Sequence, residues 1–273
     1  VAERAQPTTA PIGVYDSGVG GLSILQALRA ELPAQDVVYV ADNGHAPYGE
    51  RDAQVVNARA QRITRYLVEE LPCPIQLLVV ACNTATALAI DALRAQWPAL
   101  PIIGVEPALK PAVQLSQTHH VGVWATQGTV RSDRFVALQR GLADQAQFHV
   151  QACNGLAAAI EHQHHADIET LCTKYLQALG PLGQQAGQID TLVLGCTHYP
   201  FAADVLRQML GPHITLVDSG AAVARQTRRR LTQGAPTQHP GQITLCCTGD
   251  PQPLAQAAQR WLGLASPIQL LSI

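Results

Sequence analysis

The stretch Pro11-Ile-Gly-Val-Tyr-Asp16-Ser-Gly-Val-Gly-Gly21, running into Leu22-Ser-Ile-Leu25-Gln-Ala-Leu28-Arg-Ala-Glu-Leu32, decides the fold. A short apolar run predicts a strand. A turn of small residues follows, and leucines then recur at 22, 25, 28 and 32, the spacing of a helix with one buried face. The same pattern repeats outward. Residues 37–41 predict a second strand and 53–70 a helix with Val56, Ile63 and Leu67 on one side. Residues 75–81 form an aliphatic strand that stops at Cys82-Asn-Thr-Ala85, with a helix to about Gln96 and a strand at 102–105. Further strands are predicted at 120–124, 148–152, 191–194, 214–217 and 243–247. The helices between them follow Ala125-Thr-Gln-Gly-Thr129, cover 168–179, run from Gly220 to about Leu231, and cover 251–262.

Strands that alternate with helices predict an α/β chain with mainly parallel sheets covered on both faces. Ligands bind such sheets beyond the carboxyl ends of the strands, and the polar and glycine-rich stretches gather there. Two internal echoes point to two similar halves. Leu78-Val-Val-Ala-Cys82-Asn-Thr84 resembles Leu192-Val-Leu-Gly-Cys196-Thr-His198, and Asp16-Ser-Gly18 recurs as Asp218-Ser-Gly220. Halves that face each other would put one cysteine on each side of a shared cleft.

Composition narrows the function. Of 273 residues, 47% are hydrophobic and 14% charged, enough apolar material for a large core. Lys+Arg is 18 against Asp+Glu 20, so no basic excess points to nucleic acid or an anionic membrane. Aromatics are 4%, too few for a stacking platform. The seven cysteines are odd in number, widely spaced and free of CxxC pairs, which argues against a disulfide framework, a zinc ribbon or a thioredoxin-like site. Residues 1–11 are polar without an apolar leader core, and the longest aliphatic runs are too short to span a bilayer. The expectation is a soluble cytoplasmic chain.

Most of the cysteines read as small core residues: Cys73, Cys153, Cys172, Cys246 and Cys247. Cys82 and Cys196 differ, because each sits where a strand gives way to a polar turn or helix start, a place that favours a reactive thiol. Two thiols on opposite sides of one carbon suit inversion through a carbanion: one removes a proton while the other supplies one to the opposite face. Gly18, Gly20 and Gly21 lack full GxGxxG spacing and read as a tight turn with a carboxylate site at a helix start. Asp16 alone would read as a helix cap and His198 alone as a structural histidine; each gains a role beside a thiol. His162, His164 and His165 beside Glu161 read as an exposed polar loop rather than a metal site, and Arg228-Arg-Arg230 as a solvated helix end.

The chain resembles the glutamate racemases of the cofactor-independent aspartate/glutamate racemase superfamily. The matching stretches run in order over nearly the whole sequence: Ile12-Gly-Val-Tyr-Asp-Ser-Gly-Val-Gly-Gly-Leu22, Tyr39-Val-Ala-Asp-Asn43, Pro47-Tyr-Gly49, Val80-Ala-Cys-Asn-Thr-Ala-Thr86, Gly104-Val-Glu-Pro107, Ala125-Thr-Gln-Gly-Thr-Val-Arg-Ser132, Leu194-Gly-Cys-Thr-His-Tyr-Pro200 and Val217-Asp-Ser-Gly220. The resemblance implies two similar lobes, each a mainly parallel sheet flanked by helices, with the active site in the cleft between them. It divides the chain into residues 1–106 plus 215–273 and residues 107–214.

The resemblance further implies interconversion of L- and D-glutamate for peptidoglycan synthesis, with Cys82 acting on the D-glutamate side and Cys196 on the L side. Asp16 and His198 would tune the two thiols. Substrate contacts would come from Asp16, Ser17, Pro47, Tyr48, Gly49, Asn83, Thr84, Thr126, Thr129, Thr197 and His198. Glu161 would match a family glutamate near the substrate amino group or His198, although Asn154 stands where the family usually shows Pro. No metal and no cofactor are implied. Lys110, in a stretch (106–111) that reads as a linker, and Lys174, within a helix, are the lysines, and neither follows a phosphate cup. A homodimer is implied. Some family members are reported to bind DNA gyrase, and nothing in this sequence supports that partner. Two alternatives stay open: an aspartate or broad amino-acid racemase on the same scaffold, and a two-lobed binding protein without catalysis.

Overall fold

The computed structural model describes residues 10–231 and 240–273. The polar start, through residue 9, lies outside the described residues. The first sheet is formed by β1 (Ile12–Asp16), β2 (Val37–Ala41), β3 (Leu77–Val80), β4 (Ile102–Gly104), β9 (Ile243–Cys247) and β10 (Ile268–Leu270), in the order β10-β9-β2-β1-β3-β4. The second is formed by β5 (His120–Ala125), β6 (Gln147–Ala152), β7 (Thr191–Gly195) and β8 (Thr215–Val217), in the order β6-β5-β7-β8. Among the described residues every strand pairing is parallel.

Each sheet is sandwiched between helices, as continuous aliphatic strands require. In the first, α1 (Leu22–Glu31), α10 (Gly220–Arg230) and α11 (Pro251–Leu262) pack on one face, and α2 (Ala53–Arg65) and α3 (Asn83–Gln96) on the other. In the second, α7 (Leu156–Glu161), α8 (His165–Leu179) and α9 (Ala203–Leu210) cover one face, and α4 (Leu109–Leu115) and α6 (Asp133–Arg140) the other. The short α5 (Gln127–Val130) follows β5. Leu22, Leu25 and Leu28 are buried in the first core, the face their spacing predicted.

The run β2-β1-β3-β4 has the same order as β6-β5-β7-β8. In both, the chain leaves the first strand in one direction and returns on its other side, which opens a crevice at the carboxyl ends of the two strands where it turns back. Cys82 follows β3 and Cys196 follows β7, so the first echo is a structural repeat. The second echo is not: Asp16 ends β1, whereas Asp218 follows β8, and the counterpart of β1 is β5.

Three expectations need correction. Residues 215–217 belong to the second sheet, because Thr215–Val217 pair with β7, so the return to the first sheet begins after Val217. Lys110 lies in helix α4 rather than in a linker; Pro111 is tolerated there because the first helical turn needs no N–H at that place. The helix expected over 53–70 is α2 followed by a π-helical turn, Tyr66–Glu70.

Candidate active site

A cavity of about 380 Å³ lies between the carboxyl ends of the two sheets. From the first sheet's side its wall carries Ser17, Pro47, Tyr48, Gly49, Cys82, Asn83 and Thr84, and from the second Thr126, Glu161, Cys196, Thr197 and His198. Asp16 and Thr129 do not line it. Asp16 is fully buried behind Ser17, and Thr129 sits behind Thr126, whose hydroxyl lies 3.0 Å from its own. Thr126 is also 2.9 Å from the hydroxyl of Thr84, so the two walls meet through a chain of hydroxyls.

Cys82 caps α3. Its sulfur accepts the Ala85 N–H at 3.4 Å and its thiol lies 3.8 Å from Ser17 Oγ. Burial, and then the negative charge of Asp16, push the Cys82 thiol well above its ordinary range, which favours the protonated form. On the other wall the Cys196 sulfur lies 3.7 Å from His198 Nδ1, and His198 Nε2 lies 2.5 Å from Glu161 Oε2. Burial alone would lower the His198 pKa. Its hydrogen bonds with Cys196 and Glu161 outweigh burial and hold it well above 6.5. The two thiols therefore have opposite electrostatic neighbours, a carboxylate at Cys82 and an imidazolium at Cys196.

The glycine turn after β1 does hold a carboxylate, and it is the protein's own. Val19 N–H donates to Glu161 at 3.0 and 3.2 Å. A Cβ on Gly18 would stand 2.5 Å from Glu161 Oε1, and one on Gly20 would stand 2.3 Å from His198 Nδ1. These glycines make room for the Glu161–His198 pair. Nothing local in the sequence announces that contact, because the partners lie far along the chain.

Asp16 accepts the Gly21 N–H at 2.6 Å through Oδ2, so it does help start α1, while Oδ1 has no hydrogen-bond partner among the described residues. Burial raises its pKa from 3.8 to about 6, against the opposing pull of His198. A carboxyl raised in this way adds stability below 3.8 that is lost as pH rises through about 6. Holding it ionised costs on the order of 3 kcal/mol. Asp16→Asn is therefore expected to raise the melting temperature at pH 8 by roughly 5 °C, and by less at pH 5. Thermal melts at both pH values check this; an equal change at both would contradict it.

Some wall residues escaped the sequence reading. Cys153, expected as core filler, is buried in the second core and also lines the cavity, together with Asn154, Gln127, His162, Asn43 and Asp250. Cys153, Asn43 and Asp250 lie just beyond the carboxyl ends of β6, β2 and β9, so the rule that found Cys82 and Cys196 would have found them. Lys110 and Lys174 are not in the wall.

The Asp/Glu/Hydantoin racemase family matches residues 22–227. The glutamate racemase of Ralstonia pickettii (strain 12J) is 45% identical over 275 residues, covering 99% of this chain and 93% of that protein. The crystal structure of glutamate racemase isoform RacE1 from Bacillus anthracis aligns with a TM-score of 0.84 at 29% identity, covering 97% of this chain and 98% of that one. Escherichia coli glutamate racemase, in complex with L-glutamate and the activator UDP-MurNAc-ala, aligns with a TM-score of 0.79 at 31% identity, covering 96% and 98%. With a family match over most of its length and relatives of this closeness, the chain belongs to the Asp/Glu/Hydantoin racemases and, among them, to the glutamate racemases.

Proposed function

We propose that this chain interconverts L-glutamate and D-glutamate by passing the α-proton between two cysteines, and so supplies D-glutamate for peptidoglycan. The observation that carries the reading is the pair Cys82 and Cys196, at equivalent places in two sheets, lining one cavity. The proton starts on Cys82, beside Asp16, and Cys196 takes the α-proton of L-glutamate under the positive charge of His198. Cys82 then gives its proton to the opposite face of the carbanion. The product is D-glutamate, with the proton now on Cys196, and the reverse sequence returns L-glutamate. Ser17, Pro47, Tyr48, Gly49, Asn83, Thr84, Thr126 and Thr197 surround the substrate; Asp16 and Thr129 act from behind, and Glu161 acts through His198.

The complex of the Escherichia coli relative with L-glutamate supports this substrate. The steps use only the thiols and their partners, with no cofactor, and neither lysine lies in the cavity wall. The two sheets serve as lobes, residues 10–106 with 218–231 and 240–273 forming one, and their relative movement admits substrate. The chain works in the cytoplasm as a homodimer. Among the described residues no helix is long and apolar enough to cross a membrane.

Incubating the chain with each enantiomer in D2O tests the reading. Deuterium is expected at the α-carbon from both L- and D-glutamate, without added pyridoxal phosphate, and not from aspartate at comparable rate. Exchange from neither glutamate would overturn the proposal.

A further inference from the structure

Asp42 follows β2, is fully buried and does not line the cavity. It nonetheless gathers donors from three directions. Arg59, on α2, grips it at two points, Nη2 to Oδ1 at 2.7 Å and Nε to Oδ2 at 2.9 Å. Thr248, beyond β9, donates to Oδ1 at 2.7 Å, and His45 Nδ1 lies 3.2 Å away. The last donor is the phenol of Tyr48, 2.5 Å from Oδ2. Arg59 also donates Nη1 to the Ile273 carbonyl at 3.1 Å, which ties in the segment after β10.

Tyr48 is the member of this network that lines the cavity. Burial, and then the charge of Asp42, keep its phenol well above the ordinary range, so the hydroxyl stays protonated and is committed to Asp42. Residues 47–49 therefore meet a ligand through their ring and backbone surfaces, and where those lie depends on where the phenol is held. The next residue, Gly49, has no slack: a Cβ there would stand 2.9 Å from Thr126 Cβ on the opposite wall. A displaced Tyr48 would disturb the line where the two walls meet.

We propose that Arg59, through its two-point grip on Asp42, is a positioning residue that fixes the Tyr48–Gly49 wall of the cavity and so sets affinity for the substrate. The proposal rests on the reading of this cavity as the racemase site. The planar guanidinium matches a carboxylate at two points, which lysine cannot do, so the grip fixes the direction of Asp42 as well as its charge.

Steady-state kinetics on the full chain test it. Tyr48→Phe keeps the ring and the ion pair and removes only the donor; Arg59→Met removes the grip; Arg59→Lys keeps the charge. KM for both enantiomers is expected to rise about tenfold in Tyr48→Phe and in Arg59→Met, with kcat within about threefold of wild type. Arg59→Lys should fall in between. Since both changes act through one carboxylate, the double variant should be little worse than the weaker single variant. Arg62→Met, also on α2, which removes an exposed pair with Glu70 of the following π-helical turn, should leave KM unchanged.

An unchanged KM in Tyr48→Phe, effects that multiply in the double variant, or a fall in kcat at constant KM would overturn the proposal. If Arg59→Met does not fold, Tyr48→Phe and Arg59→Lys decide it. A wild-type chain inert toward both enantiomers would sink the functional reading instead. The positioning role would then be judged by calorimetry, with L-glutamate binding unchanged in Tyr48→Phe counting against it.

Discussion

Replacing either cysteine by serine is expected to abolish racemisation, with turnover falling at least about 1,000-fold in both directions. The swap changes one atom, and each site should tolerate it. The serine Oγ at residue 82 still accepts the Ala85 N–H that the sulfur accepts at 3.4 Å, and at residue 196 it still faces His198. Melting temperatures should therefore stay close to wild type. Chemistry fails because a hydroxyl is a far weaker acid than a thiol and cannot share a proton with its opposite number. The informative result is the asymmetry of exchange. If Cys196 is the base on the L side, Cys82→Ser retains it and should slowly exchange the α-proton of L-glutamate with solvent and return L-glutamate. Cys196→Ser should do the same for D-glutamate alone. Loss of exchange from both enantiomers in both variants would show that the thiols do not act as separate bases.

Much of this site was legible because its residues follow a local rule. Cys82 and Cys196 each end an aliphatic run and open a polar turn, and the echo between 78–84 and 192–198 matches equivalent places in two sheets of the same order. The echo between Asp16-Ser-Gly18 and Asp218-Ser-Gly220 looked as good and marks unrelated strands. Three residues carry too little information, since Asp and Ser favour helix starts anywhere. Other features were hidden because they are tertiary. Gly18 and Gly20 look like a phosphate or carboxylate loop, and only the fold shows that Glu161 and His198 fill the space beside them. The linker expected at 106–111 failed on a proline that suits the first turn of α4 as well as a loop. The Asp42–Arg59–Tyr48 network joins a strand end, a helix and a loop, and no spacing rule links those three positions.

The Glu161–His198 pair carries the second large effect. Glu161→Gln is expected to lower turnover about 100-fold while leaving the cavity wall in place. The glutamine still offers an oxygen to the Val19 N–H and a group to His198 Nε2, so the shape survives and the charge does not. In the wild type, burial acts to lower the His198 pKa and is overcome by its bonds with Cys196 and Glu161. With Glu161 neutralised, burial gains ground and the His198 pKa falls, so at neutral pH the imidazole loses the positive charge that, in the proposed mechanism, favours proton removal by Cys196. Acid should partly restore it, and the variant's kcat/KM should improve relative to wild type as pH is lowered from 8 to 6. Stability follows with a defined sign. The raised His198 value contributes stability fully present below 6.5 and lost as pH rises through that raised value. The lowered Glu161 value contributes stability present above 4.5 and lost as pH falls through that lowered value. Both contributions are complete between 4.5 and 6.5, so the melting-temperature gap between wild type and Glu161→Gln should be widest there. A gap independent of pH, or a variant whose activity tracks the wild-type pH profile, would mean that Glu161 holds His198 by shape alone and that the imidazole's charge plays no part in proton transfer.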